Sequence, residues 1–335
     1  MKTLKDKSLK AIIGMVAFTA VALFATLSAS AQSLSSQLVD KDIPVSEFHS
    51  LNVADDFEVT LNRGTYGVRL TVDEALSPYV EVYVKSKTLY LKYDEKSVPK
   101  EVKNQYKGKN GRTPVFRVVV YAPELQSLTL ADNATFYTVE QFSASQFELS
   151  AAGKSQVKNL SVTANSAKLD LKKNAAVTLK LETERGVEAA TDNSANLNLN
   201  FTGKELALNT SGSSVVVANG PCTTLNIFSS GSSEVSVTSE TKQVSLDTEG
   251  SSKVVLTGKA VSMKVDGKRS SNVDAFAMPL ETVEANLANT ANVTVTVSQK
   301  VVANLVGGSA LYYSGKPVIE LVKVVKSTLA PYGTK

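Results

Sequence analysis

Two carboxylates one repeat apart are the residues whose spacing is best suited to chemistry in this chain. Asp247 and Asp266 hold the same position in successive 19-residue units. Stacking those units would set the two carboxylates about one strand spacing, roughly 4.8 Å, apart. Paired acids at such a separation share a proton in sugar hydrolases, and with further oxygen ligands they hold Ca²⁺. The same column reads Thr129, Ser150, Asp170, Ala190, Asn209, Phe228, Asp247, Asp266, Asn286 and Asn304. Its Asn neighbours favour a polar ladder on a solvent face over a catalytic pair. His49, the sole histidine, lies beside an alternating early strand with no cysteine partner, so neither a common zinc site nor a Ser-His-Asp triad can be built on it. It is expected as a surface imidazole. Cys222 is the sole cysteine, which excludes an internal disulfide, and it reads as a small buried residue beside the bend at Pro221. No catalytic residue, cofactor or metal is assigned.

Two further sets of side chains could bind rather than react. Ser213, Ser232, Ser251 and Ser270 recur one residue after a turn position in four successive units and would form a row of hydroxyls along one edge. Tyr83 and Tyr90 alternate with Val82, Val84, Leu89 and Leu91, so with the aliphatics inward both rings point outward. There they pair across strands or stack on sugar, and cross-strand packing is the favoured reading.

Positioning all of these is a repeat of 18 to 21 residues running from about Leu128 to Tyr313. A leading apolar column contains Leu128, Leu149, Leu169, Leu208, Ile227, Leu246 and Val265. A closing one contains Phe136, Val157, Val177, Leu197, Val216, Val235, Val254 and Val273. Between them the turn position reads Asp132, Gly153, Lys173, Asn193, Gly212, Gly231, Gly250, Arg269, Asn289 and Gly307, mostly residues that tolerate positive φ. Two residues later comes Ala or Ser in every unit, as a crowded corner demands. Period-two alternation surrounds each bend and helical spacing is absent. A fixed period near twenty means that each unit buries its apolar face only on its neighbours. The fold class is all-β, a parallel β-helix of about ten rungs. A β-sandwich would show turns every 8 to 12 residues without a register held over ten units.

Ahead of the repeat, within 32–122, Phe48–Val53, Phe57–Leu61, Val68–Val72, Val80–Val84 and Leu89–Tyr93 alternate and are expected to form an antiparallel strand cap. The segment 94–114 carries Lys96, Lys100, Lys103, Lys107, Lys109 and Arg112, and reads as a mobile surface loop, with a basic binding loop as the sharper alternative. Rungs are assigned to 123–315. In 316–335, the strand Val318–Val325 is expected to cap the far end, followed by a plain tail from Ala330. Residues 1–31 combine a basic start, an apolar run from Ala11 to Leu27 and a small-residue site at Ala29-Ser30-Ala31, the pattern of a secretory signal peptide cut before Gln32. Cleavage would leave no integral membrane span. It would also remove four Lys and one Asp, taking the net charge from +4 to +1. A near-neutral chain argues against nucleic acid as a partner.

Several of these stretches are similar to the head GIN domain family. They are the opening from Val45 to Gly64, the run Val118-Val119-Val120-Tyr121-Ala122-Pro123-Glu124-Leu125, the Ser-Gly-x-Ser turns at Ser211–Ser214 and Ser230–Ser233, and the closing Gly307–Pro317. The resemblance implies a right-handed β-helix, an exported, envelope-associated setting and an auto-transporter adhesin label, with no catalytic residues to carry over. The expectation is thus an exported, non-catalytic envelope protein of periplasm, cell surface or medium that binds a glycan or an extracellular protein through a repetitive face. A carbohydrate-active enzyme working near Asp247 and Asp266 is the alternative, and a purely structural envelope component is a third reading.

Overall fold

A computed structural model describes residues 37–108 and 111–333. The proposed signal peptide, 1–31, lies outside them. The chain coils into a parallel β-helix, 65% strand and 4% helix, of about eleven turns. Equivalent aliphatics sit on one another as the period requires: Leu197 pairs with Val216, Val216 with Val235, and Val235 with Val254. On the other side of the bend Leu208 pairs with Ile227, Ile227 with Leu246 and Leu246 with Val265. All of these side chains are buried, so a continuous aliphatic core runs up the coil. Each strand's outward residues are left to solvent in strict alternation.

Every turn-column residue adopts positive φ, from 55° at Asp132 to 80° at Gly153, including Lys173 at 63° and Arg269 at 60°. The bends also stack by hydrogen bonds: the Ser232 amide donates to the Gly212 carbonyl at 2.7 Å, and the Ser251 amide to that of Gly231 at 2.7 Å. Such close approach explains glycine there, since a Cβ on Gly231 would sit 2.6 Å from the Gly212 carbonyl oxygen. The Ala/Ser column that follows is fully enclosed. Crowding is only half of its cause, because every serine hydroxyl of the column except that of Ser155 is bonded inside the coil. The Ser233 hydroxyl donates to the Ser230 carbonyl at 2.8 Å and lies 2.9 Å from the Ser229 hydroxyl, while Thr248 donates to Ser271 at 3.1 Å. Thr191, Thr210, Ser229 and Thr248, two residues before successive bends, form a buried hydroxyl column that the apolar pattern does not reveal.

The head differs from the sequence expectation. Ser50–Val53 and Glu58–Asn62 are not antiparallel: they pair in parallel with Ser127–Leu130 and with Thr135–Ala151, as a further coil with its own bend at Asp55, φ 57°. The coil therefore begins well before residue 123. Alternation marks a strand that is buried on one face but says nothing of its partner's direction, and here the partners lie beyond a long excursion. That excursion supplies the antiparallel cap. Gly67–Asp73 is sandwiched between Phe116–Tyr121 and Leu38–Ile43, and Val80–Lys85 pairs with Thr88–Tyr93. Phe48, Phe57, Leu70, Leu89, Leu91 and Phe116 close the core beneath it. Segment 94–114 is a docked flap, not a loose loop, in its described residues. It holds a short helix Lys100–Asn104, buries Val98, and packs Val102 and Tyr106 on the core.

At the other end Val318–Val325 adds one more coil strand, parallel to Asn292–Val306, yet it shields little: Leu321 is 59% and Val322 63% exposed. Part of the expected tail is ordered, as Thr328–Pro331 pairs with Ala310–Ser314.

Candidate binding face

The strands that precede the bends form one sheet, and its outer surface is where the sequence-derived candidates meet. Register runs unbroken from Tyr83 to Tyr90, then through Asn52, Thr129, Ser150, Asp170, Ala190, Asn209, Phe228, Asp247, Asp266, Asn286 and Asn304 to Lys323. Tyr90 to Lys323 spans twelve strand spacings, about 58 Å along the stack. The tyrosine pair and the aspartate pair thus belong to a single file. The sequence hides this, because the cap hairpin joins the file through Asn52, outside the repeat.

At the head of the file, the Tyr83 and Tyr90 rings are stacked with centroids 5.1 Å apart and planes 14° from parallel. The Lys92 ammonium lies 5.2 Å from the Tyr90 centroid and 5.9 Å from that of Tyr83, within cation–π range. The rings are half-buried and pack across the strands. Midway, Phe228 is the one exposed aromatic of the repeat portion of the file, at 39% exposure. Asp247 lies directly beside Asp266, and the Asn286 amide donates to Asp266 Oδ1 at 2.9 Å while Asn304 donates to Asn286 Oδ1 at 3.4 Å. Here the polar ladder expected from the Asn neighbours is formed. One Asp266 oxygen thus accepts an amide from the next coil. Lower on the same file, the Asp170 carboxylate accepts from the Lys172 ammonium at 2.6 Å, and that contact raises the Lys172 pKa above the ordinary lysine value.

Flanking columns complete the face. A groove of about 510 Å³ runs across it between Asn226, Gln243, Ser245, Lys264, Glu284 and Lys300. A second, of about 450 Å³, lies near the head between Ser127, Gln146, Glu148, Ser166 and Arg185. A shallow hollow of about 230 Å³ surrounds Asp247, Asp266, Asn286 and Asn304. Amides, hydroxyls and charges of both signs alternate there with apolar surface, which in the larger groove comes from Val244, Met263, Val283 and Val302. These flanking residues were missed by sequence reasoning, although the same register that aligned the aspartates would have aligned them.

The remaining candidates fall elsewhere. Ser213, Ser232, Ser251 and Ser270 are exposed on the bend edge, their amides holding the coil below and only Ser270 using its hydroxyl, 3.0 Å from that of Thr290. They form a row, but not on the sheet face. His49 is less open than expected, with 19% of its side chain exposed, wedged between Glu124 at Nδ1 and Glu47 at 3.2 Å from Nε2, with the Lys87 ammonium also 3.2 Å from Nε2. It sits at the head end, whereas Asp247 lies seven strand spacings up the file from Asn52, roughly 34 Å. Cys222 is buried, its sulfur 3.5 Å from the Ser239 hydroxyl. Among the described residues no three His, Cys, Asp or Glu gather as a metal site, and no helix is long and apolar enough to cross a membrane.

No curated protein matches the chain. Three solved structures are similar to it over most of its length. The first is a "putative lipid binding protein" from Parabacteroides distasonis, 17% identical over 88% of this chain and 96% of that one, TM-score 0.37. The second is a "putative adhesin" from the same organism, 18% identical over 88% and 97%, TM-score 0.34. The third is a "putative adhesin" from Parabacteroides merdae, 17% identical over 88% and 95%, TM-score 0.33. A single family model matches twice, at residues 47–185 and 179–317, as a coil of equivalent units would allow. On that double match the chain belongs to the family described as "putative auto-transporter adhesin, head GIN domain".

Proposed function

We propose that this protein is an exported, non-catalytic adhesin of the cell envelope that binds an extended glycan along the outer face of the pre-bend sheet. The observation that carries this reading is the continuous file from Tyr83 to Lys323. Aromatic faces at Tyr83, Tyr90 and Phe228 can stack on sugar rings, and the amides, hydroxyls and carboxylates between them offer hydrogen bonds at a regular spacing. A flat, polar, repeating surface suits a repeating polymer better than a small molecule, which needs a deep apolar cleft. Non-catalytic action is supported by the family's description as an adhesin, which names no reaction. Export rests on the leader pattern in residues 1–31 and on the family's adhesin description.

The test is a glycan array together with a panel of host-matrix proteins, probed with the chain lacking residues 1–31. Glycan binding that falls about three- to tenfold in Phe228→Ala and in Tyr83→Ala/Tyr90→Ala would support the reading, given the usual worth of an aromatic contact. Binding to matrix protein alone would reassign the face to a protein ligand, and no binding to either would remove adhesion. Release of reducing ends or unsaturated products from polysaccharide, lost in Asp247→Asn/Asp266→Asn, would make the protein an enzyme.

A further inference from the structure

We propose that the open end of the coil is a self-association surface, on which two copies of this chain pair tail to tail through antiparallel alignment of their Val318–Val325 strands. Val318–Val325 hydrogen-bonds to Asn292–Val306 on one side, and no strand pairs with its other edge among the described residues. Its apolar side chains are bare: Val318 is 70%, Leu321 59%, Val322 63% and Val325 45% exposed. Unpaired edges carrying exposed aliphatics invite strand addition.

The occupant is indicated by the strand's own order, Val-Ile-Glu-Leu-Val-Lys-Val-Val. A two-fold axis between Leu321 and Val322 sets Val318 opposite Val325 of the second copy, Ile319 opposite Val324, and Glu320 opposite Lys323. Apolar meets apolar and acid meets base at every step, and symmetry makes each contact twice. Side-chain direction agrees as well, because of an irregularity at Val322. Register passes from Ala303–Leu321 to Asn304–Lys323, so Val322 is skipped. Glu320 and Lys323 therefore both lie over outward positions, Val302 and Asn304, while Ile319 and Val324 both lie over buried ones, Val301 and Leu305. Without the bulge, Glu320 and Lys323 would face opposite sides of the sheet and no two-fold pairing could join them.

Charge pairing is completed rather than merely added. Glu320 already meets the Lys300 ammonium at 2.6 Å, whereas no ion pair among the described residues engages Lys323. The second copy's Lys323 would close a Lys–Glu–Lys row at each end of the joint. On the opposite sheet Thr328–Pro331 ends in a proline, which has no amide to donate. The pairing is therefore carried by Val318–Val325. It would also cover Leu321 and Val324, the uncovered end of the core.

Sedimentation velocity of the full mature chain over a wide concentration range should show a monomer–dimer equilibrium. K323E should weaken the dimer by about tenfold or more, since two attractive contacts become two repulsive ones. E320K should act alike, the double variant E320K/K323E should restore association, and mixing the two single variants should give a heterodimer. Amide exchange at 318–325 should slow with concentration in the native chain, and circular dichroism melts would show that each variant folds. A monomer at all concentrations, open-ended growth, or a dimer indifferent to K323E would each overturn the proposal.

Discussion

The Arg112 guanidinium reaches into the head to meet the Asp73 carboxylate, Nη2 to Oδ1 2.7 Å, while the other oxygen of that 2%-exposed carboxylate takes the Val115 amide at 3.0 Å. Arg112 also lies 5.5 Å from the Tyr106 ring centroid, so this one side chain ties the flap of 94–114 to the cap. Arg112→Leu would leave a buried carboxylate without its counter-charge. A loss of about 2–3 kcal/mol is expected, somewhat below a fully buried pair because Arg112 is itself 30% exposed. Urea unfolding would measure it, and earlier proteolysis within 94–114 would locate it.

Asp55 gives the stability a definite slope in acid. Partial burial raises its pKa above the ordinary aspartate value of 3.8, outweighing the Tyr93 amide that donates to Oδ2 at 2.9 Å. A carboxyl with a raised folded pKa holds its proton more tightly in the native state. Its charged form therefore costs stability, and the cost sets in as pH rises through the folded pKa. Asp55→Asn keeps an acceptor for Tyr93 and suits the φ of 57°. The variant should be more stable than the native chain at neutral pH and should lose that advantage below pH of about 4, as followed by urea midpoints against pH.

Bends where a long side chain sits at positive φ are open to improvement. Lys173 at 63° has the same conformation as Asn193 at 63°, one coil on. Lys173→Asn should stabilise by about 0.5 kcal/mol, because Asn populates this region at lower cost. Gly231→Ala should do the reverse, losing about 2 kcal/mol or more, as its Cβ would press on the Gly212 carbonyl at 2.6 Å. Thermal melts of the two variants would move in opposite directions.

Within the hydroxyl column, partnered and partnerless groups should respond with opposite sign. Ser233→Ala removes bonds to Ser229 and to the Ser230 carbonyl and should cost about 1 kcal/mol. Thr191 carries a buried hydroxyl with no partner, so Thr191→Val, nearly the same shape, should stabilise by about 1 kcal/mol. Chemical denaturation of both, and of the double variant, would show the contrast.

Much of the coil was legible because its code is local and repeated: Val216, Val235 and Val254 announce their stacking by recurring every nineteen residues between bends. The bend column was equally readable, since Gly, Asn and Asp mark positive φ, and even Lys173 and Arg269 follow from column position. Ser50–Val53 was placed antiparallel because it lies ahead of the repeat, far in sequence from its partners Thr88–Tyr93 and Ser127–Leu130, and alternation carries no direction. The candidate face was half legible for the same reason. Asp247 and Asp266 aligned by arithmetic, whereas Tyr90 reaches their file only through its pairing with Asn52. The inner hydroxyls of Thr210 and Ser229 were illegible because small polar residues at a corner look the same from sequence whether they face solvent or core.

The excursion in the head has a kinetic consequence. From Asp132 to Thr290, successive bends are hydrogen-bonded across only about 20 residues, as from Ser232 to Gly212, whereas the Asp55 amide finds Asp132, and Asn133 finds Asp56, across 77 residues. Closing that larger loop carries an entropic penalty about 1 kcal/mol above that of an ordinary coil. Nucleation therefore belongs to the middle of the stack, where contacts are short in sequence, and order spreads outward from there. On loop entropy alone the head is expected to be the last part to close.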